Sequence, residues 1–273
     1  GFNAKGRLGD GTYTERRNPV MIVDANVTSI SAGLNYYSLF LKNDGSLWGM
    51  GGNNKGNLGD GTTAERKSPV MIVDANVTAV DCGWNFSVFL KNDGSLWAMG
   101  ANEAGQLGDQ TLIDKNSSTS VVTSGVTAVA AGAGHSYFLK TDGSLWAMGL
   151  NADGQLGLGD QANRSSPSEV VSSGAYRLPG DQVVVGQGSF FSLFQDTNGS
   201  LRGMGQNDNG ELGLAGAGDR NVSEAITSSV KASSEGGDYS LFVKSDGSLW
   251  GMGLNACGQL GDGTTIDRNA SVQ

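Results

Sequence analysis

Few side chains in this sequence could carry out catalysis, and their number and spacing favour structural roles. Catalysis needs a nucleophile, an acid or base, and a group that orients them. The chain has one histidine, His135, and two cysteines, Cys82 and Cys257, which are too few and too far apart to indicate a disulfide framework or a redox compartment. It contains no H-E-x-x-H, G-x-S-x-G, P-loop or C-x-x-C motif. We therefore predict no enzyme, no catalytic residue and no cofactor.

Aspartates recur in short glycine-rich segments, where they could bind a metal ion. Asp10, Asp60 and Asp262 stand in L-G-D-G-T, and Asp109, Asp160 and Asp219 occupy related segments. Calcium needs several oxygen ligands that converge from one loop. Each segment offers only one or two carboxylates, and turn formation explains Asp-Gly pairs without a metal. We expect no metal site, with bound calcium as the alternative.

Composition limits the class of protein. The chain has 273 residues, including 44 glycines and four prolines, and its net charge is −9 with a pI near 4.5. The low proline content excludes collagen, and the apolar fraction of 38% excludes a disordered chain. The acidic balance argues against nucleic-acid binding and an anionic membrane surface. Without a run of 18 apolar residues, no membrane-spanning helix is expected. The chain begins at Gly1 without a signal peptide, as expected of a processed product, an engineered piece or a fragment.

A repeat of about fifty residues runs through the whole chain. Six copies of G-x-N-x-x-G-x-L-G begin at Gly1, Gly51, Gly100, Gly149, Gly205 and Gly253. Between them lies a second motif, V-x-x-V-x-x-G followed by an aromatic residue or histidine, serine, and K-x-D-G-S-L-W-x-M-G or a close variant of it. A period of this length indicates a propeller or a solenoid, in which each repeat is one supersecondary unit.

Each repeat is expected to form four short strands. In the first repeat, "VTSISAG" (27–33) would be the innermost strand, and the strands "YSLFLKN" and "SLWGMG" flank the hairpin signal Asp44-Gly45. The fourth strand would be "PVMIV", at 19–23 and again at 69–73, because proline suits the start of an outer edge strand. Apolar residues do not alternate cleanly with polar ones, as expected if both faces of each sheet are covered.

The two motifs resemble the regulator-of-chromosome-condensation repeat, as shown by G-x-N-x-x-G-Q-L-G and by "AAGAGHSYFLKTDGSLWAMG" (130–149). The resemblance covers essentially the whole chain and implies a β-propeller, usually of seven blades with four strands each. This chain contains five complete sets of three strands and an unpaired half-repeat at each end. We therefore predict one all-β propeller domain over residues 1–273. Its repeats of about 49 residues would start near 27, 77, 126, 182 and 230, with half-repeats at 1–26 and 253–273.

The half-repeats raise the question of how the ring closes. Residues 12–26 carry a full outer-strand segment, whereas residues 264–273 stop where the equivalent strand begins. We expect a closed or nearly closed ring of five blades, in which residues 19–23 pair with the strand at 249–253. The C-terminal tail would then stay exposed. The alternative is that the chain is cut from a longer array.

Several repeated side chains are expected to be framework. His135 takes the position of Tyr37, Phe86, Phe191 and Tyr239, and the resemblance implies a buried ring there. The serine that follows recurs in all five copies, which indicates a hydroxyl bonded to backbone. Four tryptophans recur at one hairpin position, where blade-to-blade packing is expected because a large ring suits a sheet covered on both faces. They are Trp48, Trp97, Trp146 and Trp250, and Arg202 replaces them in the fourth repeat.

The turns between the first and second strands differ from repeat to repeat, which indicates either free variation or a binding site. Propellers usually bind through loops at one end of the ring. The candidate binding residues on this loop face are Tyr36, Trp84, Asn85, Phe190 and Asp238. The aromatic members matter most, because exposed aromatic residues are favoured interface anchors.

A second candidate site is an insertion in the fourth repeat, "AYRLPGD" at 175–181. Its candidate binding residues are Tyr176, Arg177 and Leu178. In the namesake guanine-nucleotide exchange factor an inserted wedge engages the small GTPase, so the resemblance makes an insertion a candidate. The alternative is an ordinary proline-glycine surface loop.

These observations favour a non-catalytic scaffold that binds an unidentified protein partner through loops on one face, with no nucleic acid and no membrane. We expect a bacterial, secreted or cell-surface protein. One alternative is a regulator of an enzyme or small GTPase, since bacterial β-lactamase inhibitor propellers resemble this repeat and use aromatic residues in the turns equivalent to Tyr36 and Trp84. The other is a structural array that associates with itself through its terminal half-repeats.

Overall fold

The structure is a computed structural model that describes residues 1–172 and 190–273, and these residues form strands and turns without any helix. Nineteen strands make five antiparallel sheets, which we call blades 1 to 5. Blades 1, 2, 3 and 5 have four strands each, and three strands of blade 4 lie in the described residues. The predicted all-β fold of small antiparallel sheets is confirmed.

Blade 1 contains β1 (Val27–Gly33), β2 (Tyr37–Lys42), β3 (Leu47–Gly51) and β4 (Arg66–Val73). Blade 2 contains β5 (Val77–Cys82), β6 (Phe86–Lys91), β7 (Leu96–Gly100) and β8 (Lys115–Val122). Blade 3 contains β9 (Val126–Ala131), β10 (His135–Lys140), β11 (Leu145–Gly149) and β12 (Arg164–Val171). Blade 4 contains β13 (Phe191–Gln195), β14 (Leu201–Gly205) and β15 (Arg220–Thr227). Blade 5 contains β16 (Val230–Glu235), β17 (Tyr239–Lys244), β18 (Leu249–Gly253) and β19 (Arg268–Val272).

The hairpin between the second and third strands of each blade turns at the predicted Asp-Gly or Asn-Gly pair. In blade 1, Gly45 has a φ of 78°, and its amide donates to the carbonyl of Lys42 at 3.0 Å. A positive φ suits glycine because it has no Cβ. The Asp44 carboxylate accepts from the amide and the hydroxyl of Ser46, which fixes the start of the third strand. The prediction of these turns is confirmed.

The G-x-N-x-x-G-x-L-G segment, which we call the glycine loop, is built around a fully buried asparagine. In the second loop, Asn53 accepts from the amide of Leu58 at 2.9 Å and donates to Asp60 at 3.1 Å. Gly56 has a φ of 78°, and a Cβ there would lie 2.4 Å from the Cα of Asn116 in the next blade. The repeated asparagine and glycines therefore shape a loop that fits closely against the following blade.

Each of the first five glycine loops also accepts a hydrogen bond from the second strand of the following blade. The hydroxyl of Ser87 in blade 2 donates at 2.9 Å to the carbonyl of Asn57, in the loop that leaves blade 1. The same bond joins Ser38 to Arg7, Ser136 to Gln106, Ser192 to Gln155 and Ser240 to Glu211. The expectation that the repeated serine bonds to backbone is confirmed, and its partner is always the preceding repeat.

Hydrophobic cores lie between neighbouring blades. At the interface of blades 1 and 2, Leu39, Leu47 and Leu58 of blade 1 form one buried cluster with Phe89 and Met99 of blade 2. Similar clusters join blades 2 and 3, 3 and 4, and 4 and 5. Each sheet interior is therefore completed only by a neighbouring blade, which explains the lack of clean alternation in the sequence.

The two end blades leave their outer faces open, so the expectation of a closed ring of five blades is wrong. Leu249 in blade 5 is 56% exposed, although the equivalent leucines of the other blades (Leu47, Leu96, Leu145 and Leu201) are fully buried. Val27 in blade 1 is 41% exposed, whereas its equivalents Val77, Val126 and Val230 are buried. Blade 5 therefore does not cover blade 1, and the described residues form an open arc.

The N-terminal segment, residues 1–26, does not close blade 5, so that prediction is also wrong. In blade 5, β18 pairs with β19, with Gly251 opposite Val272 and Gly253 opposite Arg268. Arg268 also binds the carboxylate of Asp262, which holds the C-terminal chain against its own glycine loop. Residues 19–23 form no strand and lie beside blade 1. The last strand of the chain thus takes the outer position in blade 5 that β4, β8, β12 and β15 take in the other blades, because it follows β18 through the same kind of glycine loop.

Candidate functional site

The turns between the first and second strands of blades 1 to 3 are linked into one surface, which we call the turn face. The side-chain amide of Asn35 in blade 1 donates to Oδ1 of Asn85 in blade 2 at 2.6 Å. The backbone amide of Trp84 donates to the carbonyl of Ala133 in blade 3 at 3.2 Å. A partner that binds this face would therefore meet residues of three blades held in fixed relative positions.

Tyr36 is the last residue of its turn and has a φ of 67°, a backbone conformation that residues other than glycine rarely adopt. The residue is 39% exposed. The guanidinium of Arg7 lies 4.3 Å from the centroid of this ring and 4.6 Å from that of Phe2. The two ring centroids are 5.9 Å apart, so the guanidinium and the two rings form a compact triangle in which both rings lie within cation–π distance.

Arg7 has no carboxylate partner in an ion pair in the part of the chain that the structure describes. Its Nε atom is buried without a hydrogen-bond partner there, and burial lowers the pKa of its guanidinium from the usual value. A partly buried cation without a counter-charge is unfavourable, and aromatic rings compensate only in part. The Phe2–Arg7–Tyr36 group, which we call the arginine cluster, therefore favours a ligand that brings negative charge.

The other predicted turn residues occupy equivalent positions with different surroundings. Trp84 is 50% exposed next to half-buried Asn85. Phe190 in blade 4 and Asp238 in blade 5 are half-buried, and their carbonyls accept from the amides of Gln206 and Leu254. The structure brings Tyr36, Trp84 and Asn85 onto linked turns. No hydrogen bond among the described residues joins Phe190 or Asp238 to them.

The predicted insertion site falls outside the described residues. Tyr176, Arg177 and Leu178 belong to 173–189, so their proposed binding role stays a prediction. In contrast, sequence analysis missed Phe2 and Arg7. A signal for both was present, because the equivalent positions of the next glycine loop are Gly52 and Asn57, which carry neither a ring nor a charge.

His135 and the aspartates have structural partners rather than an open reaction site. His135 and Ser192 are fully buried, 3.0 Å apart, and burial lowers the pKa of His135 to about 4. The hydrogen bond from Arg268 holds the pKa of Asp262 at about 2, and Arg66 binds Asp60 in the same way. Among residues 1–172 and 190–273, no group of His, Cys, Asp and Glu side chains is placed to hold a metal ion. No helix in those ranges could span a membrane.

The repeated tryptophans are half-buried, and three of them pack between blades as expected. Trp97, Trp146 and Trp250 lie against the clusters that join blades 1 and 2, 2 and 3, and 4 and 5. Trp97 stacks on Phe89 with ring centroids 6.3 Å apart, and the ammonium of Lys91 lies 4.4 Å from its centroid. Its indole N–H donates to the hydroxyl of Ser95 at 2.9 Å. The same lysine–tryptophan–phenylalanine arrangement occurs at Trp48, Trp146 and Trp250. These rings stabilise the hairpins and have a structural role.

The comparisons with known proteins agree with this architecture. Human WBSCR16 superposes with a TM-score of 0.76 at 23% identity, over 92% of this chain and 67% of that chain. Yeast RCC1 (Prp20), in its structure with bound Kap60, gives 0.66 at 18% identity, over 89% and 74%. A second structure of Prp20p, from Saccharomyces cerevisiae, gives 0.62 at 19% identity, over 90% and 76%. No curated protein matches the chain in sequence. The family model of the RCC1-like domain matches residues 1–273, and the chain therefore belongs to the RCC1-like domain family.

Proposed function

We propose that this chain is a non-catalytic, protein-binding β-propeller whose partner docks on the turn face. The observation that carries the proposal is the arginine cluster, on the turn face that also exposes Trp84. Two exposed rings and a cation that has no ion-pair partner among the described residues lie on a surface braced by hydrogen bonds between blades. Aromatic and arginine side chains contribute most to the free energy of protein interfaces.

The charge of Arg7 indicates the chemistry of the partner. A carboxylate of the partner, placed on the open edge of the guanidinium, would supply the missing counter-charge and accept hydrogen bonds. The rest of the chain carries a net negative charge, which disfavours broadly acidic partners. We therefore expect a partner with an isolated acidic side chain or C-terminal carboxylate that is surrounded by apolar residues.

The solved relatives support a protein partner by analogy. Yeast RCC1 (Prp20) is described with Kap60 bound, and Prp20p is described as binding Gsp1p and histones. Because these relatives are less than 25% identical to this chain, their partners are not assigned to it. A role as regulator of an enzyme or small GTPase would use the same turn face, and identification of the partner would distinguish the two functions.

Two substitutions test the turn face. Arg7→Gln introduces the residue that Gln106, Gln155 and Gln259 provide in other glycine loops, so the fold should tolerate it. Trp84→Ala removes the most exposed aromatic side chain of the turns. Immobilised wild-type protein should retain a partner from cell extract that both variants lose, whereas Ile113→Ala, at an exposed site on a different loop, should retain it. Equal retention by all four proteins, or no partner for the wild type, would overturn the proposal.

A further inference from the structure

Neighbouring glycine loops, which we number 1 to 6 in chain order, meet through three positions. Counted from the first glycine of the motif, these are position 5 of one loop and positions 4 and 15 of the next. Between loops 2 and 3, the ammonium of Lys55 lies 2.5 Å from the carboxylate of Glu103 and 3.1 Å from that of Asp114. Between loops 1 and 2, Lys5 pairs with Glu65. In both junctions a lysine therefore binds carboxylates of the next loop.

The junction between loops 4 and 5 has the opposite charge at position 5. It contains Asp153 from loop 4 and Asp208 and Asp219 from loop 5, and we call these three residues the acidic junction. Asp219 is placed as Asp114 is in loop 3, because each carboxylate accepts from the backbone amide of its own loop's buried asparagine, at 3.2 Å and 2.8 Å. An aspartate thus stands at the position that a lysine occupies between loops 2 and 3.

The fold does not require the three charges of the acidic junction. The junction between loops 3 and 4 is uncharged at all three positions, which hold Ala104, Ala152 and Asn163. In the acidic junction, burial and the carboxylates of Asp219 and Asp208 raise the pKa of Asp153, so the three groups are close enough to repel one another. Like charges that are held together at a cost in stability are typical of a binding site.

No cation of the chain neutralises the acidic junction in the part that the structure describes. None of the ion pairs found there involves Asp153, Asp208 or Asp219. Arg220 follows Asp219 in the sequence, but its guanidinium pairs with Glu224 at 2.9 Å. Asp208 and Asp219 are exposed and Asp153 is half-buried, so a cation from outside the chain can reach the junction.

A buried amide beside Asp153 indicates which kind of cation fits. Gln155 is fully buried, and its Oε1 accepts from the backbone amide of Asp153 at 2.9 Å, which places the carboxamide against this loop. Its Nε2 is buried without a hydrogen-bond partner among the described residues. An N–H donor repels a bare metal ion, whereas a lysine residue brings an ammonium for the carboxylates and a backbone carbonyl that can accept from an N–H group.

The acidic junction borders the turn face. At the start of loop 4, the amide of Leu150 donates at 2.8 Å to the carbonyl of Gly134, in the turn of blade 3. At the start of loop 5, the amide of Gln206 donates at 2.9 Å to the carbonyl of Phe190, in the turn of blade 4. A protein that docks on the turn face can therefore also contact the acidic junction.

We propose that the acidic junction binds a lysine side chain of the protein that docks on the turn face. The ammonium lies among the three carboxylates and donates to them, as the ammonium of Lys55 does between loops 2 and 3. This proposal rests on the protein-binding function proposed above. It adds that the partner carries a lysine as well as the acidic group that Arg7 favours.

The peptide acetyl-Gly-Lys-Gly-amide tests the proposal in NMR titrations of the isotope-labelled chain at low ionic strength. Ion pairs near the surface are weak, so saturable shifts of the amides of loops 4 and 5 are expected with a dissociation constant of about 1 mM. Asp153→Lys should weaken binding about tenfold or more, because its own ammonium occupies the junction. It should also raise the melting temperature by about 1–3 °C, since attraction replaces repulsion. Asp208→Asn, at an exposed position, should weaken binding about threefold.

Two controls complete the experiment. Glu169→Lys makes the same change of charge at an exposed residue of β12 and should bind the peptide as the wild type does. A peptide with norleucine in place of lysine should not bind. Absence of saturable binding, equal binding by the wild type and Asp153→Lys, or a lower melting temperature of that variant would overturn the proposal. So would calcium that binds more tightly than the peptide at the same amides, since the occupant would then be a metal ion.

These outcomes are independent of the test of the proposed function. The peptide contacts neither Arg7 nor Trp84, so Arg7→Gln and Trp84→Ala should leave its binding unchanged. A failure of peptide binding would therefore leave the results for the turn face as they are, and a failure at the turn face would not alter the peptide titration.

Discussion

Nε2 of His135 in blade 3 lies 3.0 Å from the hydroxyl oxygen of Ser192 in blade 4, and both side chains are fully buried. The Ser192 hydroxyl donates to the carbonyl of Gln155 at 3.1 Å, so the imidazole must donate and carry its proton on Nε2. Nδ1 then has no partner among the described groups. A neutral histidine therefore joins two blades, and protonation would place an uncompensated charge between them.

This arrangement predicts a loss of stability in mild acid. Burial lowers the pKa of His135 from 6.5 to about 4 in the folded protein. The unfolded chain therefore binds the extra proton between these pH values, and stability falls as pH falls through that range. His135→Phe, which introduces the residue found at Phe86 and Phe191, should fold without this loss. Relative to the variant, the wild type should lose about 3 kcal/mol of unfolding free energy between pH 6.5 and pH 4 in urea titrations.

The other titratable groups are present in both the wild type and His135→Phe, so their effects on stability cancel in this comparison. The pKa of Asp10 and that of Asp262 are about 2, so their stabilising contributions are lost only below the ordinary carboxyl value. Parallel stability curves for wild type and variant over pH 4 to 6.5 would show that His135 does not act in this way.

The chain offers two tryptophans that should respond differently to the same substitution. Trp97→Ala removes a half-buried ring together with its stack on Phe89 and its contact with Lys91, and should lower unfolding free energy by about 2–4 kcal/mol. Trp84→Ala removes a half-exposed ring and should change it by less than about 1 kcal/mol. Chemical denaturation measures both, and equal losses would assign Trp84 a framework role.

The asparagine of the glycine loop should be essential to its blade. Asn102 is fully buried, accepts from the amide of Leu107 and donates to the carboxylate of Asp109. Asn102→Ala leaves both groups without these bonds and should destabilise the protein by about 3 kcal/mol. The matched control is Asn54→Ala, at an exposed loop position, which should leave the melting temperature unchanged. A similar effect of both would contradict the assigned role of the buried amide.

The backbone of Tyr36 predicts an unusual order of stabilities. With a φ of 67°, this position disfavours any residue with a Cβ, so Tyr36→Gly should be more stable than Tyr36→Ala by about 1 kcal/mol. At Trp84, whose φ is not positive, alanine should be the more stable replacement because glycine is more flexible in the unfolded chain. Thermal melts of the four variants test this reversal, and the same order at both positions would exclude strain at Tyr36.

Local signals in the sequence were sufficient for the hairpins, since Asp44-Gly45 turns where expected and the serine hydroxyls bond to backbone. The same signals predicted a strand at residues 19–23 that the structure does not contain. The second copy of PVMIV is a strand because it pairs with β3, and pairing depends on residues far away in the sequence. The arginine cluster was not predicted from the sequence for a related reason. Phe2 and Arg7 lie in one repeat and Tyr36 in the next, and only the packing of the loop on blade 1 brings them together. The binding roles of Tyr36, Trp84, Asn85, Phe190 and Asp238 stay predictions.

The bond from Ser87 back to the Asn57 carbonyl has a consequence for how this chain is made in the cell. Each of the five serine bonds runs from a later strand to an earlier glycine loop, so the ribosome delivers the acceptor loop before the strand that binds it. Each new blade can therefore dock on a surface that has already left the exit tunnel, and the chain can fold progressively from its N-terminus as synthesis proceeds. Whole repeats could be added or lost at the C-terminal end without disturbing blades that have already docked.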